Sequence, residues 1–244
     1  MDVDALIARL ETERWTIGVI GLGYVGLPLA VTAVERGLDA VGFDVSVEKV
    51  AALAAGRSSV EDVPDDQLAG ALAGGLSVTT DEADLAAADM LVICVPSPLG
   101  RNRQPDMSYI ESAAATVSRV ARPGHLVSLE STTYPGTTED ILVPAVEAAG
   151  LTPDVDVFVA FSPERIDPGS TYTTGAIPKV VGGHGPVSAR VAEAAYGRLV
   201  DAVHPVSSAA VAEMSKLLEN TYRAVNIGLV NEMAQLADEL GIDI

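Results

Sequence analysis

The chain has 244 residues, and 48% of them are hydrophobic, which is enough for one large domain or for a domain with an appendage. Its 34 acidic residues outnumber 15 basic residues and give a formal net charge of −19, which argues against a nucleic-acid partner. The single cysteine, Cys94, excludes an intramolecular disulfide and a multi-cysteine metal site. Without a basic leader or an apolar run of about eighteen residues, the sequence predicts a cytoplasmic protein with no membrane partner.

The predicted elements begin with a short helix over residues 2–12, after which apolar runs alternate with alanine-rich helical stretches. The runs are unbroken rather than alternating, which is typical of strands buried on both faces of a parallel sheet. We therefore expect a doubly wound α/β domain of the Rossmann type over residues 1–205. The helices predicted inside this domain span residues 27–35, 47–54, 108–120, 138–149 and 186–199.

One continuous helical pattern follows, over residues 207–240, and it would extend on the order of 50 Å. Such a helix is too long to be covered by the domain before it, so its apolar seam should pack on a second domain or a second subunit. We expect residues 206–244 to form this connecting helix and to mediate a homodimer. The chain stops where a following domain is expected, which predicts a truncated piece.

A glycine turn occupies the first strand-to-helix junction, in the stretch IGVIGLGYVGLPLA. Gly21, Gly23 and Gly26 have the spacing in which the first glycine turns sharply, the second admits a pyrophosphate and the third packs the helix on the strand. The amides of Tyr24 and Val25 should point at the phosphates. The turn predicts a dinucleotide site; the alternative is a glycine-rich bend that binds nothing.

An acidic residue, Asp44, ends the second predicted strand eighteen residues after Gly26. There its carboxylate can accept hydrogen bonds from the adenosine ribose, and it would repel a 2′-phosphate, which favours NAD over NADP. Lys49 lies one helical turn further and could cover the ribose or the pyrophosphate. An exposed lysine without a role is an equal alternative.

Further strand ends carry polar residues, and ligands of open parallel sheets collect at these ends. In VICVPSP, Pro96 precedes Ser97, whose hydroxyl could face the cofactor. Ser131 and Thr132 follow another strand in LVSLESTTYPGTTED. Glu164 follows a third strand.

Other residues near these ends have plainer interpretations. The hydroxyls of Thr137 and Thr138 are expected to cap a helix. Cys94 is expected to be a small core residue, and His184 lies in a glycine turn and receives no role.

A polar stripe runs along the long helix beside its apolar seam. Lys216, Asn220 and Arg223 are spaced i, i+4 and i+7 in AEMSKLLENTYRAVN, which places them on one face. The residues alone leave two interpretations open: a solvated edge, or groups that face a ligand.

The motifs taken together resemble the UDP-glucose/GDP-mannose dehydrogenase family. The resemblance runs from residue 15 to residue 244 through IGLGYVGLPLA, CVPSP, ESTTYPGTTED, FSPERIDPG and EMSKLLENTYRAVNIGLVNE. Within the family, FSPERIDPG followed by IPKVVGG is most similar to the UDP-N-acetylhexosamine members, especially the UDP-N-acetylglucosamine 6-dehydrogenases.

The resemblance implies an NAD-dependent oxidation of a UDP-sugar hydroxymethyl group to a carboxylate in two steps, in the synthesis of surface polysaccharide precursors. A family cysteine captures the aldehyde, and water hydrolyses the resulting thioester. Lys216 and Asn220 match the catalytic lysine and asparagine, which stabilise an oxyanion. Thr132 matches a threonine that positions water, and Glu164 a glutamate suited to acid–base or water-orienting work.

Substrate contacts are implied as well, at Glu164, Arg165, the backbone of Ile166, Lys216, Asn220 and Arg223. The chain departs from the family pattern in two places. A second acid of the substrate loop is replaced by Pro168, and the cysteine motif lies beyond the long helix, so we expect NAD binding without completed oxidation. The alternatives are a UDP-glucose or GDP-mannose 6-dehydrogenase, or a non-catalytic dinucleotide-binding module.

Overall fold

Eight strands of the described residues form one sheet in a computed structural model that describes residues 1–98, 104–164 and 173–243. The strands are β1 Thr16–Ile20, β2 Asp39–Phe43, β3 Leu76–Thr79, β4 Met90–Ile93, β5 Leu126–Leu129, β6 Phe158–Phe161, β7 Lys179–Gly183 and β8 Val203–Val206. Their order across the sheet is β3-β2-β1-β4-β5-β6-β7-β8. The first six strands are all parallel and have the order of a dinucleotide-binding Rossmann sheet, so the predicted fold class is confirmed.

The last two strands run against the other six, a reversal that the apolar runs alone did not predict. β7 pairs antiparallel with β6 through Ala160 with Gly183 and Phe161 with Gly182, and β8 is parallel to β7. The first residue of β7, Lys179, therefore lies at the edge where the parallel strands end. This edge carries the pocket described below.

Helices cover both faces of the sheet. They are α1 Val3–Thr12, α2 Gly26–Glu35, α3 Val47–Ala54, α4 Asp65–Gly74, α5 Ser108–Val120, α6 Val143–Ala148, α7 Pro186–Leu199 and α8 Ala209–Glu239. Short 3₁₀ turns span Glu82–Ala87 and Thr174–Ala176, and a π-helical turn, Thr138–Leu142, precedes α6. The helix α4 was not predicted, because its glycines and acidic start lack the helical apolar repeat.

Two apolar layers form the core, one on each face of the sheet. On one face α2 and α7 pack against the strands with Leu27, Leu29 and the fully buried Tyr196. On the other face α5, α6 and the first turns of α8 contribute Ile110, Val146 and other buried side chains. Because β4, β5 and β6 are buried along their whole length, the polar groups that remain at their ends are held rigidly.

The long helix α8 is covered at its start, and beyond its first turns only Ala237 is buried in the described part of the helix. Ser208 caps it through a hydrogen bond from the Val211 amide to its hydroxyl (3.3 Å), and Ala212 and Glu213 are buried against the sheet. Further along, an apolar stripe is exposed; it comprises Met214, Leu218, Tyr222, Val225, Leu229, Met233 and Leu236. Among the residues that the structure describes, no helix has the length and hydropathy required to cross a membrane.

Candidate functional site

A cavity of about 290 Å³ opens at the carboxyl ends of the parallel strands. It is lined by the glycine turn after β1, by the ends of β2 and β4, by the segments after β5 and β6, and by one residue each of α3 and α8. The lining residues are Gly21, Gly23, Tyr24, Val25, Asp44, Lys49, Cys94, Val95, Pro96, Ser97, Glu130, Ser131, Thr132, Glu164 and Lys216. Most of the residues predicted from separate segments are therefore brought together in one pocket.

The glycine turn has the geometry that a bound pyrophosphate requires. Gly21 has a φ of +99°, a conformation that side chains with a Cβ rarely adopt. A Cβ at Gly26 would collide with the carbonyl oxygen of Gly21, whereas a Cβ at Gly23 would meet no protein atom within 4 Å and would project into open space. Val25 precedes α2 and provides no side-chain cap, and both Tyr24 and Val25 line the pocket, so the positive end of the helix lies beside this space.

Asp44 is fixed at the end of β2 by three hydrogen bonds. Its Oδ2 accepts from the Leu22 amide (3.0 Å) and from Lys49 Nζ (2.6 Å), and its Oδ1 accepts from the Ser46 amide (3.0 Å). Burial alone would raise the pKa of Asp44, but the bonds from Lys49 and the two amides outweigh burial and lower it. The carboxylate is thus ionised beside the glycine turn, where it can accept hydrogen bonds from ribose hydroxyls.

The segments after β4 and β5 are tied to each other at the floor of the pocket. Ser131 Oγ donates a hydrogen bond to the Val95 carbonyl oxygen (2.6 Å), which joins the turn of Pro96 and Ser97 to the segment of Thr132. Thr132 itself is exposed in the pocket. Cys94 also lines the pocket but is only 7% exposed, and burial raises the pKa of its thiol, so it is not a reactive thiolate.

Lys216 reaches the pocket from α8. Its Nζ donates a hydrogen bond to the backbone carbonyl oxygen of Glu164, so the helix and the segment after β6 meet at the pocket. Asn220 and Arg223 lie one and two turns further along α8 and are not part of the described pocket lining. Their predicted roles stay predictions. Arg165 and Ile166 lie outside the described residues, as does Pro168.

Glu164 belongs to a buried charge cluster at the wall of the pocket, whose other members, Lys179 and Glu130, were not predicted from the sequence. Lys179 Nζ lies 2.5 Å from Glu130 Oε2 and 3.0 Å from Glu164 Oε2, and the Tyr196 hydroxyl donates to Glu130 Oε1 (2.8 Å). Burial lowers the pKa of Lys179, but the two carboxylates outweigh burial and raise it, so Lys179 is charged. Two signals for this cluster are present in the sequence: Lys179 stands at the start of one apolar run, and Glu130 stands at the end of another.

A second unpredicted residue, Glu213, joins α8 to the turn after β5. Its fully buried carboxylate accepts from the amides of Gly136 (2.5 Å) and Thr138 (2.9 Å) and from the Thr138 hydroxyl (2.7 Å). The prediction that the hydroxyls of Thr137 and Thr138 cap a helix is wrong: the Thr137 hydroxyl donates to the Tyr134 carbonyl oxygen, and Glu213 supplies the cap instead. A carboxylate has two acceptor oxygens, so Glu213 can bind both amides and the Thr138 hydroxyl at once.

Comparisons with known proteins agree with this arrangement. Residues 15–200 match the family model for the UDP-glucose/GDP-mannose dehydrogenase family, NAD binding domain, and residues 210–244 match that family's central domain. The chain belongs to the UDP-glucose/GDP-mannose dehydrogenase family. The family predicted from the sequence motifs is thereby confirmed.

Several of the similar proteins are dehydrogenases of UDP-N-acetylhexosamines. The chain is 38% identical over 230 residues to UDP-N-acetyl-D-glucosamine 6-dehydrogenase of Pseudomonas aeruginosa, covering 93% of this chain and 54% of the relative. It is 39% identical over 231 residues to UDP-N-acetyl-D-mannosamine dehydrogenase of Pyrococcus horikoshii, covering 93% and 55%. The solved structure of UDP-D-ManNAc dehydrogenase from Pyrococcus horikoshii superposes with a TM-score of 0.87 at 38% identity, over 93% of this chain and 55% of that chain. The chain spans about half the length of the curated relatives that it matches.

The cofactor of this dehydrogenase family domain is NAD. The described residues fit it: the open space beside Gly23 accommodates a pyrophosphate, and the ionised Asp44 is an acceptor for ribose hydroxyls. Thr132, Glu164 and Lys216 line the remainder of the same pocket. The arrangement therefore places an ammonium, a hydroxyl and a carbonyl beside the NAD site.

Proposed function

We propose that this chain is the NAD-binding part of an enzyme that oxidises the hydroxymethyl group of a UDP-N-acetylhexosamine to a carboxylate. The observation that carries the proposal is that Lys216 of α8 lines one pocket with the glycine turn and Asp44. A protein that merely bound a dinucleotide would not need a lysine from a distant helix at this position. The printed names of the relatives favour an N-acetylhexosamine as the sugar.

The pocket residues have distinct tasks in the proposed oxidation. Held by the glycine turn and Asp44, NAD would supply the hydride acceptor for each of the two steps, and the hydroxyl proton would pass to a base or to water. The Lys216 ammonium stabilises the negative charge that develops on the reacting oxygen, and the Thr132 hydroxyl holds a water in the pocket. We assign the nucleophile of the second step to a cysteine outside these 244 residues, because Cys94 is buried and its pKa is raised.

Substrate profiling tests the proposal. The whole protein that contains this chain is incubated with NAD and, in separate reactions, with UDP-N-acetylglucosamine, UDP-N-acetylmannosamine, UDP-glucose and GDP-mannose. We expect two NADH for each UDP-N-acetylhexosamine consumed and a uronic acid as product. Turnover of only UDP-glucose or GDP-mannose would favour that alternative enzyme, and NAD binding without turnover of any sugar would favour a non-catalytic module.

The 244-residue chain supplies a matched control for that assay. With NAD and the same UDP-sugars it should bind NAD but release no uronic acid, since it carries no reactive cysteine. Uronic acid from the chain alone would contradict the assignment of the nucleophile.

The apolar stripe of α8 supports a homodimer as the functional assembly. Its central residues Leu218, Tyr222 and Val225 are 65%, 71% and 64% exposed, which is unusual for a contiguous apolar surface on a monomer. We expect sedimentation to give a dimer and Leu218→Glu to shift the population to monomer. A monomer at every concentration would remove this part of the proposal. The cytoplasmic location stays a prediction.

A further inference from the structure

The buried charge cluster of Lys179, Glu130 and Glu164 is the least expected feature of the molecule. The side chains of Lys179 and Glu130 are 2% and 0% exposed, and that of Glu164 is 9% exposed. Burying charges is costly unless each one is paired and hydrogen-bonded, and here two carboxylates share one ammonium. An apolar residue in place of each would not carry that cost, so the cluster calls for a role beyond stability.

The partners of Glu130 show that the cluster is closed on its inner side. Glu130 Oε1 accepts from the Tyr196 hydroxyl, which in turn lies 2.8 Å from Ser128 Oγ, and Lys179 Nζ lies 5.6 Å above the Tyr196 ring. Both oxygens of Glu130 are thus held by fully buried neighbours. Glu130 and Glu164 both border the pocket, and Glu164 is the more exposed of the two.

Two lysines contact Glu164, one at its side-chain carboxylate and the other at its backbone carbonyl oxygen. Its carboxylate is bonded to Lys179 from β7, and its backbone carbonyl oxygen accepts a hydrogen bond from Lys216 of α8. The amide of Ser162 donates to the Leu129 carbonyl oxygen (3.0 Å) and so continues the sheet by one residue beyond β6. Two residues later, the side chain of Glu164 ties the chain to β7 through Lys179.

We propose that Lys179 is a positioning residue of this site: by holding the Glu164 carboxylate inside the sheet, it keeps the Glu164 carbonyl oxygen turned toward the pocket, where that oxygen fixes Lys216. The antiparallel direction of β7 makes this possible, because it brings the first residue of the strand to the edge where the parallel strands end. The catalytic meaning of the inference rests on the proposed function. Its geometry does not, since it concerns only the place of Lys216.

The chain offers a direct readout, because it contains only three lysines, Lys49, Lys179 and Lys216. Only the neutral form of an amine is acylated, and a carbonyl acceptor favours the ammonium form, so Lys216 should react slowly while the Glu164 carbonyl holds it. Acetic anhydride at limiting concentration is applied to the chain without NAD or sugar. Acetylation of Lys216 is then measured relative to Lys49, which serves as an internal reference in the same molecule.

In Lys179→Met, a positioning role and a purely electrostatic role predict opposite changes in the rate of Lys216 acetylation. Loss of a nearby positive charge alone would favour the ammonium form of Lys216 and slow its acetylation. Loss of the carbonyl contact should instead speed it by about tenfold, the equivalent of one hydrogen bond to a charged group. Lys179→Arg keeps the charge and can still bind both carboxylates, so its ratio should stay within about twofold of the unmodified chain.

A ratio in Lys179→Met that is unchanged or lower, in a chain with the normal circular dichroism spectrum, would overturn the proposal. If Lys179→Met does not fold, the double variant Glu130→Gln/Lys179→Met removes one charge of each sign and leaves Glu164 without its ammonium. In this double variant, acetylation of Lys216 relative to Lys49 should again rise, and an unchanged or lower ratio would again overturn the proposal. Substrate profiling of the whole protein tests the proposed function separately, so that the two ideas can fail independently.

Discussion

The two halves of the pocket are held in place by different means. The nucleotide half, Gly21–Gly26 with Asp44, comes from neighbouring segments and depends on backbone conformation and close approach. The reacting half, Thr132 with Glu164 and Lys216, comes from segments far apart in the chain. Its geometry depends on buried side chains, among them Lys179 and Glu213. The first half should be sensitive to added atoms, and the second to removed charges.

Crowding the nucleotide half should give the largest effect. In Gly26→Val the new side chain collides with the Gly21 carbonyl oxygen, so the free energy of unfolding should fall by about 4 kcal/mol and NAD binding should be lost. Gly23→Ala is the matched control: its methyl group meets open space, so stability should hold within about 0.5 kcal/mol while NAD affinity falls roughly a hundredfold. Urea unfolding and calorimetric NAD titration measure both. Equal losses of stability in the two variants would contradict the distinction.

Removing Glu213 should break the reacting half and spare the other. Glu213→Ala leaves two amides and a hydroxyl buried without their acceptor, so the free energy of unfolding should fall by about 3 kcal/mol. NAD affinity should change by less than about twofold, because the nucleotide half does not contact this residue. Glu232→Ala, on the exposed part of the same helix, should change stability by less than about 0.5 kcal/mol. An NAD affinity that falls together with stability would show that the halves are not separate.

Acid should weaken the fold outside both halves, through His125 at the start of β5. Burial, followed by the charge of Arg122, lowers the pKa of this fully buried imidazole from 6.5 to about 4. The unfolded chain takes up a proton below pH 6.5 that the folded chain refuses, so stability is complete above that pH and falls as pH decreases toward 4.

The expected loss from this group between about pH 7.5 and about pH 5 is about 2 kcal/mol. His125→Asn should remove that part of the pH dependence and leave whatever the pocket carboxylates contribute. Urea unfolding at several pH values measures it. A slope that is the same in the variant would mean that the acid-sensitive groups lie elsewhere.

Substitution of Asp44 in the nucleotide half should give the smallest effect, a change in dinucleotide affinity. Asp44→Asn keeps an acceptor for the ribose but loses the charge that pairs with Lys49, so NAD affinity should fall about tenfold. Affinity for NADP should rise, because the repulsion of a 2′-phosphate is gone while the Lys49 ammonium remains. Parallel titrations of both dinucleotides give the ratio. An unchanged preference would mean that Asp44 does not select the cofactor.

The nucleotide half of the pocket could be predicted from the sequence more directly than the reacting half. The dinucleotide site could be predicted from a local sequence pattern alone, without the tertiary structure. The pattern consists of Gly21, Gly23, Gly26 and Asp44. Lys216 was found because a motif resemblance marked it; its helical spacing alone left a solvated edge equally open.

The rest depended on contacts between residues distant in the chain. Lys179 opens an apolar run that would place it at the far edge of an all-parallel sheet, and only the reversal of β7 brings it to Glu164. Glu213 looks like a surface charge on a helix until the turn of Gly136 packs against it. The helix α4 lacks the apolar repeat on which helix prediction depends.

The hydrogen bonds from Gly136 and Thr138 to Glu213 fix α8 close to its N-terminal end, so a tilt of the helix about Glu213 as the fulcrum moves its two ends by very different distances. Lys216 lies three residues beyond this fulcrum, about 4.5 Å along the axis, whereas the last residue of the helix lies about 39 Å away. A rigid tilt about the fulcrum therefore moves the lysine by only about a ninth of the displacement at the far tip. Whatever body docks on the distal arm can shift by ångströms while the ammonium stays within a few tenths of its place.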